Sequence, residues 1–160
     1  MSIFLAWTTI LVTTGPQAGC FPGELRDRHA SAVETWIPAP GTPEGVVWSN
    51  PERALGPPDG RTVALRTQSS ITLRFFRSIP NSHGPDVRVY EIGPDQARAE
   101  VAASEDGSSF ETWSEAASGP TTGFDLDELG LARANFIRIR GLDDAGQEPG
   151  FDLDAVEALH

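Results

Sequence analysis

The sequence contains a single cysteine, no lysine and only three histidines. One cysteine cannot form an intramolecular disulfide bond, so no disulfide framework holds this fold together. The 12 basic residues, all arginine, are outnumbered by 23 acidic residues, and the net charge is −11. Nucleic-acid binding needs cationic groups that displace counterions from phosphates, so this balance argues against a nucleic-acid partner. It is compatible with cation binding.

The apolar run near the N-terminus, residues 3–14, is shorter than the roughly 20 residues that span a bilayer. Small residues then precede Cys20, which is typical of a signal peptide. Ala18-Gly19-Cys20 resembles the bacterial lipoprotein box, whose cysteine is diacylated and becomes the new N-terminus. Gln17 departs from the usual leucine, and no basic residue follows Met1. An ordinary secretory signal cut near Ala18 is the alternative, and both interpretations predict export.

Three segments follow from this pattern. Residues 1–20 form the predicted signal peptide. Residues 21–45 contain four prolines and few apolar side chains, a composition typical of a semi-rigid tether. Residues 46–160 have the length of one domain. We therefore expect a lipid-anchored protein of the outer membrane, cell surface or periplasm, with Cys20 as the lipidation site.

No helical period persists beyond a turn after residue 45, whereas short β-rich runs recur between turn residues. Asp106-Gly107 is a strong hairpin signal between two of these runs. About eight strands without crossover helices predict an all-β fold, an antiparallel β-sandwich of the jelly-roll type. The clearest predicted strands cover residues 46–48, 71–75, 87–91, 99–104, 110–114, 135–140 and 151–159.

Motifs for catalysis are missing from the sequence. It contains no Gly-x-Ser-x-Gly elbow and no His-Glu-x-x-His zinc motif. His29 falls in the predicted tether, His83 in a loop and His160 at the terminus, and no nucleophile is marked out beside them. The sequence therefore predicts a protein that is not an enzyme.

Six landmarks occur in an order that resembles galactose-binding-like domains, the superfamily that includes discoidin, coagulation-factor type C domains and many carbohydrate-binding modules. The resemblance is strongest to the bacterial cell-surface branch and covers nearly everything after Trp48. It implies the sandwich fold, but the fold hosts many functions. The landmarks are residues 50–60, 70–75, 84–91, 104–110, 134–139 and 150–159.

The resemblance also implies a structural calcium ion between an early loop and the final strand, with Asp59 and Glu157 each supplying a side-chain oxygen. Calcium takes six to eight oxygen ligands, so backbone carbonyls would complete the shell. The alternative is that Asp59 is an ordinary turn residue and Glu157 is solvated. A second cation site, or a hydrogen-bonded carboxylate cluster, is predicted where Asp152 and Asp154, two apart on one strand face, meet Asp86 and Glu91 if their strands are neighbours. The alternative is that Asp152 and Asp154 belong to a polar outer face of the strand.

A sugar-binding face needs exposed aromatic rings, and Trp48, Tyr90 and Trp113 are the candidates that the sequence offers. None of them is marked as an exposed platform, so glycan binding follows from the resemblance alone. We expect an envelope module that binds a glycan or another surface ligand and holds a structural calcium ion. The alternative is an assembly lipoprotein that docks on another envelope protein and binds no sugar.

Overall fold

The computed structural model describes residues 28–93, 97–144 and 150–160, which contain ten β-strands and three short 3₁₀ helices. The 3₁₀ helices are Val47–Ser49, Pro51–Ala54 and Leu126–Leu129. The strands are β1 (Ala32–Ile37), β2 (Val63–Leu65), β3 (Ser70–Pro80), β4 (Val87–Glu91), β5 (Arg98–Ser104), β6 (Glu111–Thr112), β7 (Ala117–Ser118), β8 (Thr121–Phe124), β9 (Arg133–Gly141) and β10 (Phe151–Ala158).

The strands form two antiparallel sheets. One has the order β1-β3-β9-β5-β6, with β7 also paired to β5, and the other has the order β2-β10-β4-β8. The predicted antiparallel sandwich is therefore confirmed. Ten strands are present where about eight were predicted, and two of the ten, β6 and β7, are only two residues long.

The core lies between the two sheets, and alternation along the strands builds it. Ile71 pairs with Ile139 and Leu73 pairs with Ile137, and all four side chains are fully buried. Residues between them point to the other face of the sheet, because successive side chains of a strand alternate. Each buried branched side chain contributes about 1.5–3 kcal/mol to the free energy of folding.

The last strand departs from strict alternation. Its register against β4 shifts between Leu153 and Ala155. Phe151 and Leu153 belong to the core cluster, and after the shift Val156 and Ala158 take their place. The predicted apolar series of Phe151, Leu153 and Ala155 is thus corrected: a bulge displaces Ala155 from that series.

The N-terminal part of the domain differs from the sequence prediction. Residues 46–48, predicted as a strand, lie at the 3₁₀ helix Val47–Ser49. Strand β1 lies in the predicted tether and pairs with β3 at the edge of the larger sheet. Val33 and Trp36 of β1 pack against the core. The predicted domain start at residue 46 is therefore wrong, because Ala30 already donates a backbone hydrogen bond to Val156 in β10.

Cys20 and the predicted signal peptide lie outside the described residues. None of the helices in the described part of the chain has the length and apolar character that crossing a membrane requires.

Candidate functional site

The turn of residues 57–60 is attached to β10 by one buried carboxylate. Asp154 is 3% exposed, and its Oδ1 accepts hydrogen bonds from the backbone N–H groups of Asp59 and Gly60, both at 3.2 Å. Gly60 has a φ of 82°, a left-handed conformation that glycine adopts without steric cost. The early loop and the final strand do meet, and these amide–carboxylate bonds join them.

The carboxylate of Asp59 faces Arg61. Its Oδ1 accepts a hydrogen bond from the Arg61 backbone N–H at 2.9 Å, and its Oδ2 lies 2.7 Å from Arg61 Nη2. The side-chain hydrogen bond to Arg61 is the main reason that the pKa of Asp59 is lowered, and the same contact raises the pKa of Arg61. The alternative interpretation of Asp59 as a turn residue accounts for both of these contacts.

Glu157 lies on the outer face of the smaller sheet, beside two residues of β4. The Tyr90 hydroxyl donates a hydrogen bond to Glu157 Oε2 at 2.6 Å, and Arg88 Nη1 lies 3.7 Å from the same oxygen. Burial raises the pKa of Tyr90, and the contact with Glu157 adds to that increase. Glu157 therefore connects β10 to β4 through a charge-assisted hydrogen bond.

Asp86 is fully buried at the start of β4. Its Oδ1 accepts a hydrogen bond from Ser82 N at 2.8 Å, and its Oδ2 accepts one from Leu126 N at 3.0 Å. These bonds fasten the loop before β4 to the 3₁₀ helix that follows β8. Asp86 thus acts as a structural crosslink between two connections.

The second predicted cation site required strands β4 and β10 to be neighbours, and they are. Their register nevertheless keeps the carboxylates of that predicted site apart. Val87 pairs with Ala158, whereas Glu91 pairs with Leu153. Asp86 therefore lies at the opposite end of the strand pair from Asp154 and Asp152, which are about 15 Å and about 20 Å away along the strands at the rise of a β-strand. The prediction that Asp86 joins these two carboxylates is wrong.

The predicted metal ligands do not converge. Within residues 28–93, 97–144 and 150–160, no group of three or more His, Cys, Asp or Glu side chains is arranged to hold a metal ion. Four of the predicted ligands accept hydrogen bonds within the protein, and Asp152 also takes part in an interaction. The calcium ion stays a prediction from the resemblance, and the arrangement of these side chains does not fit it.

An aromatic pocket lies on the larger sheet, where β1, β3 and β9 are adjacent. It is an open surface groove of about 520 Å³, and phenylalanine, polar and cationic residues line it. Phe76 is 75% exposed, the highest value among the exposed large hydrophobic residues of the described chain. We call this the Phe76 site, and its lining residues are Ser31, Arg74, Phe75, Phe76, Asn135 and Phe136.

Hydrogen bonds to backbone carbonyl oxygens hold the frame of the Phe76 site. The Ser31 backbone N–H and hydroxyl both donate to the carbonyl oxygen of Arg74, at 2.9 and 3.1 Å. Asn135 Nδ2 donates to the carbonyl oxygen of Glu105 at 2.7 Å. These bonds come from three elements, so the positions of the lining residues are fixed before any ligand arrives.

The hairpin loop after β5 supports the ring of Phe136. Gly107 has a φ of 76°, and a Cβ atom there would lie 3.1 Å from the Phe136 ring. Asp106 caps the loop by accepting hydrogen bonds from the backbone N–H groups of Ser109 and Ser108, and these bonds lower its pKa. The predicted turn at Asp106-Gly107 is therefore present and braces the Phe76 site.

The three aromatic candidates from the sequence do not form a platform. Trp113 is buried, donates from Nε1 to the carbonyl oxygen of Asp125 at 2.8 Å and packs against Phe124 with ring centroids 5.0 Å apart. Tyr90 is engaged with Glu157. Trp48 is half-buried in a 3₁₀ helix.

The sequence did carry a signal for the two phenylalanines that were missed. Phe76 follows Phe75 and has the opposite parity to the buried Ile71 and Leu73, which places it on the outer face. Phe136 alternates with the buried Ile137 and Ile139 on β9, which places it on the outer face as well. The predicted strand ended at residue 75, one position too early to include Phe76.

No protein-family model matches this chain, and neither does any curated protein. Solved structures are similar to it. One, described as CBM32 of AlyQ in complex with 4,5-unsaturated mannuronic acid, has a TM-score of 0.54 at 15% identity and covers 82% of this chain and 98% of its own. Another, CBM32-1 from a family 31 glycoside hydrolase from Clostridium perfringens, has a TM-score of 0.55 at 10% identity and covers 84% and 99%.

Both neighbours are carbohydrate-binding modules with the galactose-binding-like, discoidin-type sandwich. The fold that the resemblance implied is therefore confirmed for this chain. At these identities the likeness establishes the fold alone, and the ligand has to be argued from the residues of this protein.

Proposed function

We propose that this protein is a non-catalytic carbohydrate-binding module and that the Phe76 site is its binding surface. The observation that carries the proposal is the exposed ring of Phe76 beside Phe136, on a sandwich of the type that carbohydrate-binding modules have. The C–H faces of a sugar ring stack on aromatic rings, and its hydroxyl groups need hydrogen-bonding partners. Arg74, Asn135 and Ser31 supply those partners at the rim.

The physical cost of exposing Phe76 supports a binding role. A phenylalanine that is left in water forgoes roughly 1.5–3 kcal/mol of burial free energy, and the fold gains no packing in return. Exposed aromatic residues that are surrounded by polar groups are typical of binding sites. A pocket of this volume is within the range of small-molecule sites, roughly 300–1,000 Å³.

A glycan array followed by isothermal titration calorimetry tests this proposal. Phe76→Ala should raise the Kd of any bound glycan at least tenfold, without a change in melting temperature, because an exposed side chain contributes little to stability. Ile37→Ala is the matched control, since Ile37 is an apolar residue of the same sheet, 52% exposed, at the far end of β1. Unchanged glycan affinity in Phe76→Ala would contradict the assignment of the site.

The same experiment separates the second candidate, an assembly lipoprotein that docks on another envelope protein. In that case no glycan binds. An envelope protein is instead recovered together with this protein, and after purification it binds the Phe76→Ala variant more weakly than the wild type. Glycan binding that depends on Phe76 removes this candidate.

Export and anchoring are part of the proposal. A diacylated Cys20 would hold the module at the outer membrane or cell surface, with the short segment before residue 28 as the spacer. Cys20→Ser should abolish labelling with radioactive palmitate and release the protein from the membrane fraction. Cys20→Ser protein that stays in the membrane fraction would show that the lipid is not the anchor.

A structural calcium ion stays a prediction from the resemblance and is not part of the proposed function, because the carboxylates of the described residues do not converge on a site. The resemblance gives this ion carboxylate oxygens from Asp59 and Glu157 and the function of ordering the chain ends. The contacts of both side chains within the protein argue for a fold that is stable without the ion. Equal melting temperatures in calcium and in chelator would contradict a structural calcium ion.

A further inference from the structure

We infer that the glycan at the Phe76 site carries an anionic group, a carboxylate or a sulfate, and that Arg74 binds it. This inference rests on the proposed function of the same site. Arg74 is the one charged residue among the six that line the pocket. Guanidinium groups present parallel N–H donors that match the two oxygens of a carboxylate or sulfate.

Arg74 is available to a ligand. Its side chain is 54% exposed, and its nearest carboxylate, Glu34 Oε2, lies 3.7 Å from its Nε. Glu34 is itself 47% exposed. Ion pairs between side chains this exposed contribute little, about 0–1 kcal/mol, so a ligand oxygen can replace Glu34 at low cost.

Arg74 also has a fixed place beside the aromatic rings. It pairs with Phe136 across β3 and β9, and with Ala32 across β1 and β3. Paired residues of adjacent strands point to the same face with their Cβ atoms about 5 Å apart. A sugar that stacks on the phenylalanine rings therefore brings its substituents within reach of the guanidinium group.

A second arginine extends the pattern along the sheet. Arg138 lies two residues beyond Phe136 on β9, about 7 Å along the strand and on the same face. Its guanidinium group lies 4.1 Å from the centroid of the Phe110 ring. Arg138 forms no ion pair with another described residue, whereas Arg140, the next on this face, is 2.8 Å from Glu100. Two neighbouring arginine–aromatic pairs suit a polymer that repeats a negative charge.

The net charge of −11 restricts where an anionic glycan can bind on this protein. Repulsion between the protein and an anionic polymer is screened beyond about 8 Å at physiological ionic strength. Contact at short range is then decided by the local cations, and these lie beside the aromatic rings. The acidic remainder of the surface disfavours anionic glycans elsewhere.

Calorimetry with two pairs of probes in calcium-free buffer tests the inference. One pair is oligogalacturonate and its carboxyl-reduced, neutral counterpart, and the other is dextran sulfate and dextran. We expect the wild-type chain to bind at least one anionic probe at least tenfold more tightly than its neutral partner. Arg74→Gln should raise the Kd for that probe about tenfold, which corresponds to about 1.4 kcal/mol, and should leave neutral glycans unaffected.

Arg61→Gln is the control for net charge, because Arg61 is an exposed arginine of the turn that is attached to the other sheet. The affinity of the Arg61→Gln variant for the anionic probe should equal that of the wild type. Equal affinities for the anionic and neutral members of both pairs, lost together in Phe76→Ala, would overturn the inference while the proposed function stands. If no probe binds and glycan arrays are silent, both are overturned. Preference for oligogalacturonate identifies a carboxylate ligand, and preference for dextran sulfate identifies a sulfated one.

Discussion

Replacement of Glu157 separates the two interpretations of the final strand. As a calcium ligand, Glu157 would stabilise the fold only in the presence of calcium. As the acceptor of the Tyr90 hydroxyl, it stabilises the fold with or without calcium. The structure favours the second interpretation, so we expect Glu157→Ala to lower the melting temperature equally in calcium and in chelator.

The magnitude follows from the contacts that are lost. A hydrogen bond to a charged acceptor contributes about 1.5–3 kcal/mol. The Glu157 side chain is 17% exposed, which places its bond near the lower end of that range. Arg88, 43% exposed and 3.7 Å away, adds at most about 1 kcal/mol. The expected loss is about 1.5–2.5 kcal/mol, or about 6 °C in melting temperature for a domain of this size.

A double-mutant cycle with Tyr90→Phe isolates the bond itself. If the hydroxyl and the carboxylate act on each other, Tyr90→Phe combined with Glu157→Ala should cost little more than Glu157→Ala alone, with a coupling energy of about 1 kcal/mol. Glu157→Gln retains an acceptor for the hydroxyl and should lose about half as much. Stability is measured by chemical denaturation in calcium and in chelator. A loss confined to the calcium samples would refute this reasoning and make Glu157 a ligand.

Three further predictions concern single residues. Tyr90 is the one tyrosine of the chain, so phenolate absorbance reports it alone: its pKa should lie above the ordinary value of about 10 and fall towards it in Glu157→Gln, and the wild type should lose stability as the pH rises beyond 10. An unshifted titration of the wild type would contradict the partial burial of the Tyr90 hydroxyl and its hydrogen bond to Glu157. The hydrogen bonds that Asp106 accepts from Ser109 and Ser108 lower its pKa, so its stabilising effect is complete above the unfolded pKa of about 3.9 and is lost as the pH falls through the folded pKa. Thermal melts from pH 5 to pH 2 should therefore show a smaller drop for Asp106→Asn than for the wild type, and parallel curves would count against this. Asp86→Ala leaves two backbone N–H groups without acceptors, one of them buried and the other partly buried, and should cost about 3–5 kcal/mol in chemical denaturation. A loss below about 1 kcal/mol would show that water replaces the carboxylate.

Most of the sandwich could be predicted because the alternation of apolar and polar residues along a strand is a local signal. Strand β4 has the predicted bounds, and every end of β5, β9 and β10 lies within two residues of the predicted one. Strand β1 was missed for a physical reason. Its prolines lie just beyond it, at Pro38 and Pro40, and suggested a tether for the whole segment. An edge strand pairs on one side only, so a short run with two inward residues, Val33 and Trp36, is enough to form it.

The polar residues of the predicted sites could be identified individually from the sequence, but the sequence did not show which of them lie close together in the fold. Their grouping depends on register, and the antiparallel pairing of β4 with β10 places Asp86 and Asp154 at opposite ends. Antiparallel neighbours bring together residues from opposite ends of their strands, so spacing in the sequence does not give proximity. The bulge beside Asp154 adds a shift that alternation cannot anticipate.

The separation of polar and aromatic residues between the two sheets favours the Phe76 site over the acidic residues as the place where function lies. On the smaller sheet, Asp154 and Glu157 receive their hydrogen bonds from groups of the same chain, so a ligand there would have to break existing contacts. On the larger sheet, Phe76 and Arg74 remain exposed while backbone bonds hold their strands in place. Binding at the larger sheet costs little reorganisation, because the frame is already ordered and the exposed groups have weak competitors. The acidic residues that stood out in the sequence thus maintain the fold, which supports the proposal that two phenylalanines and an arginine of the opposite sheet form the binding surface.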